Sequence, residues 1–511
     1  MTQLIALISL GLFIVVMIAV GIISRSKAAT MEGFLLGGRG IGPWISAFAY
    51  GTSYFSAVIF IGYAGMHGWN IGMASIWIGV GNALVGCWLA WKVLARPTRN
   101  MTHRLRAATT PQFLAARFQS KGMKIYAACV IFIFLVPYTA SIYKGLGTMF
   151  SNIFNGADPV ICMVIVATLT AIYLVLGGYV ATSLNDFIQG IIMIAGVFLM
   201  MMIVVSRPEV GGLSAGLEKL TAIDPGLVDI TGGSNLQFLL NNILLTSLGV
   251  WGLPQMVHKY YAIKGESDIK VAAVVSTIFA MIIGCGAYFV GSFSRLFIPA
   301  DSSGMPALAG GYDEVMPTLL MNALTGSVFT NIVLAIIMLS LLSASMSTLS
   351  AVVLSSSSAV AVDLLEEVRP QTTVRKQMLF LRVLCLLFVL MSFIFATLNI
   401  SFIVNLMSFS WGVVAGSFIG PYLWGLYSKK VTKAGAWAGT LSGVVVVGGA
   451  LIFMTLTRGF EVAKSFAPEY GVAAMAVSVV IVPLVSRFTK PYKEEDILPM
   501  FEKEEEAQIK D

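Results

Sequence analysis

Charge is what this chain has least of. Charged residues fill only 11% of its 511 positions while 57% are hydrophobic, and the mean hydropathy is +0.87. A soluble protein carries roughly a quarter charged residues. With so few, polar surface could not cover the cores of soluble domains, so the composition excludes that class and requires an all-α polytopic membrane protein. Histidine is also scarce: His67, His103 and His258 are the only three, and none has metal-ligand spacing. The five cysteines (Cys87, Cys129, Cys162, Cys285, Cys385) sit in apolar segments without paired spacing, which argues against a disulfide framework or a thiolate metal site. No nucleophile set, metal set or cofactor motif is present, so neither an enzyme nor a bound cofactor is expected. The net charge of +7 is scattered between apolar runs rather than gathered in one patch, which excludes a nucleic-acid partner. Nothing in the pattern calls for an obligatory protein partner.

What is present is a series of apolar runs long enough to cross the ~30 Å hydrocarbon core. They lie near 3–24, 43–70, 71–95, 123–152, 157–176, 182–206, 236–256, 270–298, 327–362, 378–400, 401–427, 434–457 and 470–487, giving about 13 transmembrane helices. The first follows no basic leader, so it reads as a retained helix rather than a cleaved signal. Basic residues set the orientation. The 96–124 connection holds Arg96, Arg99, Arg104, Arg106, Arg117, Lys121 and Lys124 without an acid; Arg25, Lys27 and Arg39, then Lys259, Lys264 and Lys270, then Lys429, Lys430 and Lys433 fall on the same side. The 207–235 connection opposite carries Glu209, Glu218, Asp224 and Asp229. The expectation is a multi-pass protein of the cell (inner or plasma) membrane, with the N-terminus outside and the C-terminus cytoplasmic. The charged tail, 489–511, is expected to be mobile or loosely attached.

Two runs depart from a plain lipid-facing helix. In "PWISAFAYGTSYFSAVIFIGYAGMHGWN" the middle, "YGTSYFSA", puts glycine and hydroxyls where leucine and valine would stand. Such residues let a helix unwind, and unwound backbone at membrane depth is tolerated only around a cavity or inside protein. Its freed carbonyls are hard ligands suited to a small cation; close helix packing through small residues is the alternative. The second run, "LLSASMSTLSAVVLSSSSAVAVD", carries eight serines and a threonine before Asp363. Ala344, Ser347 and Thr348 share one helical face. A carbonyl and two hydroxyls stacked there would complete a sodium shell begun by the broken helix, with interhelical hydrogen bonding as the alternative. Among the charged residues that fall within the predicted spans, where charge is costly, two stand out. Asp186 stands at the start of its span, as a functional group or a helix cap; Lys144 stands nearer the end of its own, where snorkelling to the interface is the simpler role.

Four motifs in order, "FLLGGRGIGPW", "GGYVATSLNDFIQG", "SASMSTLSAVVLSSSSAVAVDL" and "SWGVVAGSFIGPYLWGLYSKKVTKAGAWAGTLSG", span about residues 34–443. Together they resemble the sodium/solute symporter family, which includes bacterial proline, pantothenate, sialic acid and sugar transporters. The resemblance implies a five-plus-five inverted-repeat core of the leucine-transporter type. Residues 1–42 would form an N-terminal helix and cytoplasmic connection, 43–206 the first repeat, 207–235 an extracellular connection, 236–427 the second repeat and 428–488 two additional helices. It also implies a sodium site made by the carbonyls of Thr52, Phe55 and Ala344 and the hydroxyls of Ser347 and Thr348. Some members have a second sodium site, matched here by Asp186, Ser347 and Ser350, although Ala351 stands where some carry another hydroxyl. The aspartate and tryptophan of the proline transporters look replaced by Tyr54 and Thr246, with Tyr138 kept. Candidate solute contacts are Tyr54, Ser56, Asn82, Tyr138, Asn242 and Thr246.

The expected function is sodium-coupled symport, importing a small organic solute (an amino acid, carboxylate or similar polar molecule) by alternating access. Sodium is the coupling ion, and solute, sodium and the lipid bilayer are the partners. A proton-coupled or uncoupled carrier on the same scaffold is the near alternative. A solute-sensing membrane receptor is a different class, and the short acidic tail offers it no output module.

Overall fold

A computed structural model describes residues 2–154, 156–324, 328–369, 371–398 and 401–501. Among them, 11 helices are long and apolar enough to cross a membrane. Most of the described residues are helical, the first helix, α1, being Thr2–Ile23. The difference from the expected number arises where two consecutive apolar runs join as one continuous helical segment. Val58–Arg104 spans 47 residues and Pro159–Ser206 spans 48, far more than one crossing requires.

A glycine in a non-helical conformation interrupts each. Gly72 has φ 50 and ψ −129, and Gly178 has φ 53 and ψ −148. Backbone from other segments crowds the Cβ position at both, Leu227 O at 2.0 Å and Phe34 O at 2.8 Å, so only glycine fits there. At Gly178 the chain folds back on itself. Tyr173 before it donates to Met346 O at 2.9 Å, and Asp186 after it faces Ser347, so both arms meet the same turn of one helix.

Burial sorts the helices into an inner and an outer set. The apolar windows within Phe329–Val368 and Ile403–Tyr427 are 83% and 89% buried, whereas those of Leu4–Ala28 and Lys433–Arg458 are 28% buried. The outer set turns leucine, isoleucine and phenylalanine outward, as at Leu12, Ile452, Phe453 and Leu456. That surface suits lipid and would be untenable in water.

Seven elements position the site. α2 is Pro43–Tyr54, and α3 is Ala64–Ile71, preceded by a wide helical turn at Val58–Tyr63. α4 is Lys121–Ile153, α5 is Pro159–Ser206, α6 is Leu236–Gly249, α7 is Pro254–Ala262 and α8 is Val328–Ser358. A further helix, α9, covers Ile403–Tyr427.

The expected break in the second run is present. Phe55 is extended, at φ −103 and ψ 107, and separates α2 from the turn that restarts at Val58. A second break was not anticipated. α6 ends at Gly249 and α7 begins at Pro254, inside what reads as a span at 236–256 followed by a loop. Gly252 there lies against the backbone of Ala415, and Pro254 takes the first position of the new helix, where its missing N–H costs nothing. The polar residues of "QMVHKYYA" suggest a loop, yet all of them are buried.

The tail also differs from expectation. Glu494–Phe501 forms α10, which is docked rather than loose. Arg104 Nη1 donates to Met500 O at 3.1 Å, Tyr492 OH donates to Phe118 O at 2.7 Å, and Arg117 lies over the Phe501 ring. The remainder of the tail, 502–511, lies outside the described residues.

Candidate ion and solute site

The break in the first run leaves backbone oxygens without helical donors. Phe55 N donates to Gly51 O at 3.2 Å, and the next helical donors, Ile59 N and Phe60 N, both reach back only to Ser56 O. The carbonyls between are free to point elsewhere, and α8 meets them. Thr348 Oγ1 lies 3.3 Å from Thr52 O, 3.3 Å from Ser53 O and 3.0 Å from Ala344 O. One hydroxyl proton cannot serve three carbonyls. Beside it, Ser347 Oγ donates to Thr52 Oγ1 at 2.7 Å, which in turn donates to Phe48 O at 2.8 Å. The result is a buried cluster with more oxygen lone pairs than protons. A small hard cation satisfies such a cluster, so the residues present fit sodium.

Four of the five residues expected at that ion site therefore meet around one point: Thr52, Ala344, Ser347 and Thr348. Ser53 joins them through its carbonyl, whereas the carbonyls expected from the break were those of Thr52 and Phe55. Phe55 is the extended residue at the break itself. Within the same stretch of α8, Ser345 Oγ accepts from Ala57 N at 3.1 Å, tying the serine helix to the far side of the break. In the "SSSS" stretch, Ser358 Oγ turns back to Ser355 O, and Asp363 beyond it accepts from Thr109 Oγ1 at 2.8 Å.

The second expected triad is only partly assembled. Asp186 is inside α5, fully buried and facing Ser347, so it is not a helix cap. Ser350 Oγ donates to its own helix, to Ser347 O at 2.9 Å. Lys259, which the sequence places in a solvated basic connection, is instead buried on α7 with its Nζ 3.6 Å from Asp186 Oδ2 and over the Tyr179 ring. Neither carboxylate oxygen of Asp186 has a hydrogen-bond partner among the described residues.

Of the six candidate solute contacts, Tyr54, Asn82, Asn242 and Thr246 form one network. Tyr54 OH donates to Thr246 O at 2.7 Å. Thr246 Oγ1 lies 2.7 Å from both Asn82 Oδ1 and Asn242 O, and Ser247 Oγ donates to the same Asn82 oxygen at 3.2 Å. Ser56 and Tyr138 face each other across the break. Trp411 of α9 joins the two groups, its ring centroid 6.3 Å from that of Tyr54 and 5.5 Å from that of Tyr138. It stands in the "SWGVVAG" motif, but a tryptophan in an apolar run carries no mark that separates a site wall from core. Asn82 begins a π-helical stretch, a form that recurs at functional sites. All six candidates are at most 1% exposed, so water reaches them from neither side.

Lys144 does not snorkel. Its Nζ pairs with Asp313 Oδ2 at 2.8 Å and donates to Ser401 O at 2.8 Å, while Ile403 N donates to Asp313 Oδ1. The group joins the end of α4, the Gly311–Glu314 turn and the start of α9. Burial lifts the Asp313 carboxyl above the usual aspartate range, with the Lys144 charge opposing the shift.

Comparison with known proteins agrees with this architecture. The chain is 27% identical over 488 residues to the osmoregulated proline transporter OpuE of Bacillus subtilis (strain 168), covering 95% of each chain. It is 27% identical over 445 residues to the sodium/proline symporter of Escherichia coli (strain K12), covering 86% of each. Its fold matches a sodium-coupled sialic acid symporter in a substrate-bound outward-open state, with a TM-score of 0.76 over 96% of this chain and 99% of that one, at 17% identity. These relatives are membrane transporters and not enzymes. The model of the sodium:solute symporter family matches residues 34–443, and the chain belongs to that family.

Proposed function

We propose that this protein couples the entry of sodium to the import of a small polar organic solute by alternating access. The carrying observation is the cluster at Thr348, where carbonyls of Thr52, Ser53 and Ala344 surround one hydroxyl between the broken helix and the serine helix. Sodium there would take oxygens from α2 and α8 together and brace the break. Thr52, Ser53, Ala344, Ser347 and Thr348 would hold it, with the Phe55 carbonyl as a further ligand. Since Tyr54 and Ser56 lie on the same break as Thr52, ordering it for sodium also orders the solute contacts. That is coupling as a difference in affinity between two states. With the N-terminus outside, inward movement of each charge gains about 2.3 kcal/mol per 100 mV of membrane potential.

The broken helices α2/α3 and α6/α7 fit a five-plus-five inverted repeat over 43–206 and 236–427, in which ion and solute sites lie where discontinuous helices meet. Asp186, Ser347 and Ser350 would form a second sodium site only if Lys259 withdrew from Asp186.

The test is uptake into proteoliposomes under an imposed sodium gradient, with a proton gradient as the comparison. Accumulation that follows sodium supports the proposal. Accumulation that follows protons alone favours the proton-coupled carrier, and sodium-dependent binding without accumulation favours a receptor.

A further inference from the structure

Beyond the break, on the side away from the ion cluster, a histidine meets an asparagine with the wrong polarity for either to satisfy the other. His67 is fully buried on α3. Its imidazole is stacked between Tyr63, at 4.8 Å and 11°, and Phe238, at 5.0 Å and 17°. Nδ1 lies 2.9 Å from Tyr63 O, and a carbonyl only accepts, so Nδ1 carries the proton. In the neutral ring Nε2 is then an acceptor. The side chain facing it is Asn242 of α6. Asn242 Nδ2 donates to Phe238 O at 2.8 Å, which fixes the amide with Oδ1 as its other end. Oδ1 too is an acceptor, and neither it nor His67 Nε2 has a hydrogen-bond partner among the described residues. Two buried acceptors left without a donor are each destabilising.

The opposite imbalance lies one helical turn along α6. Asn82 Oδ1 accepts from Thr246 and Ser247, and Asn82 Nδ2 is left without an acceptor. Trp411 Nε1 is likewise a donor without a partner among the described residues. The central region is thus polarised, with unsatisfied acceptors at the His67 end and unsatisfied donors at the Asn82–Trp411 end.

We infer that His67 and Asn242 form the amine end of the solute site, and that the solute is a zwitterion with a primary or secondary ammonium group. Its N–H bonds fill the acceptor pair, and its carboxylate takes the Asn82 and Trp411 donors. A quaternary ammonium has no N–H to give and a sugar or simple carboxylate has no ammonium, so the site discriminates against all three. This rests on the symport reading above and names the solute class for it.

The experiment measures sodium-dependent thermal stabilisation and proteoliposome uptake of the purified protein. The probes are L-alanine and L-proline, their fully N-methylated counterparts, lactate and tetrahydrofuran-2-carboxylate, and glucose. The expected result is that an N–H-bearing zwitterion binds at least about tenfold more tightly than its N-methylated or amine-free counterpart, the loss of one hydrogen bond to a charged group. His67→Phe, which keeps the stack, and Asn242→Leu should each weaken the N–H zwitterion by about tenfold and leave half-saturating sodium unchanged. Should either variant fail to fold, the wild-type ranking of probes decides alone. Binding of glucose, lactate or a quaternary zwitterion as tightly as any N–H zwitterion overturns the amine site and leaves sodium coupling standing. Zwitterion binding indifferent to sodium, with the ranking intact, supports the amine site and overturns sodium coupling instead. A His67→Phe variant that alters the proton dependence of uptake but not the ranking shows that the acceptor pair takes a proton, and also overturns the inference.

Discussion

Ser347 Oγ donates to Thr52 Oγ1 across 2.7 Å, and this one bond fastens the serine helix to the broken helix where the carbonyls are free. It also sets apart two ways in which the serine run could act. A hydroxyl that only packs contributes to stability, whereas one that lends its lone pairs to an ion contributes to sodium affinity. Replacing Ser347 or Thr348 by alanine is expected to raise half-saturating sodium by one to two orders of magnitude, about 1.4–2.8 kcal/mol. Solute affinity without sodium should barely move, and saturating sodium should restore most transport. A sodium titration of solute binding in S347A and T348A measures this. Unchanged half-saturation in both variants, with lowered thermal stability, would assign these hydroxyls to packing.

Where the fold and site were legible, side-chain chemistry violated the composition of its surroundings. Hydroxyls in an apolar run exposed α8, and "YGTSYFSA" exposed the first break, because both carry residues that a lipid-facing helix does not need. The second break, at Val250–Leu253, was missed because "GVWGLP" reads equally well as the end of a span. The Ser53 carbonyl was missed because the carbonyls expected at the break, those of Thr52 and Phe55, rested on the resemblance, and no side chain marks which of their neighbours also faces α8. Lys259 was misplaced for a different reason. A lysine beside His258, Lys264 and Lys270 has the pattern of a solvated connection, and only the folded chain shows that Asp186, distant in sequence, buries it as a counter-charge.

The Lys144–Asp313 pair closes the chain over α4, the Gly311–Glu314 turn and α9, so it is expected to act as a latch on that end of the site. Lys144→Met should speed opening by about tenfold, the worth of one charge-assisted hydrogen bond. Cys87 is buried on the stretch beside Tyr54 and serves as the reporter. Its labelling by a water-soluble maleimide, in a variant retaining only that cysteine, should accelerate. Equal labelling rates in both proteins would remove the latch.

Acid should act on the same pair with a sign that separates latch from fold. Burial raises the Asp313 pKa, so the folded chain holds this proton at a pH where the unfolded chain has released it. The contribution of Asp313 to stability is therefore largest at acid pH and falls as pH rises through its raised pKa. Acid slows maleimide labelling in every variant by removing thiolate, so the readout is the Cys87 rate of Asp313→Asn divided by that of the parent at the same pH. The latch requires the carboxylate, so this ratio should be about ten above the raised Asp313 pKa and fall towards one below it, without loss of parental thermal stability. A ratio that does not change with pH would show that Asp313 does not titrate the latch.

Lys259 and Asp186 carry opposite charges at 2% and 1% side-chain exposure, only 3.6 Å apart, and each depends on the other for its counter-charge. Removing one partner of such a pair costs about 3–5 kcal/mol, whereas replacing both by neutral groups costs far less. Lys259→Met alone should therefore lower the thermal stability of the protein strongly, and adding Asp186→Asn should return most of it. The single variant also tests whether Asp186 can serve an ion. With Lys259 gone, the carboxylate beside Ser347 is free to bind a cation, so sodium should stabilise K259M more steeply than the parent, while potassium at equal ionic strength should not. Sodium that restores K259M but not K259M/D186N would establish a second ion position at Asp186 that Lys259 fills in the native chain. Stabilisation of the two variants by the same amount would place all sodium binding at Thr348 and leave Asp186 as the structural counter-charge of Lys259.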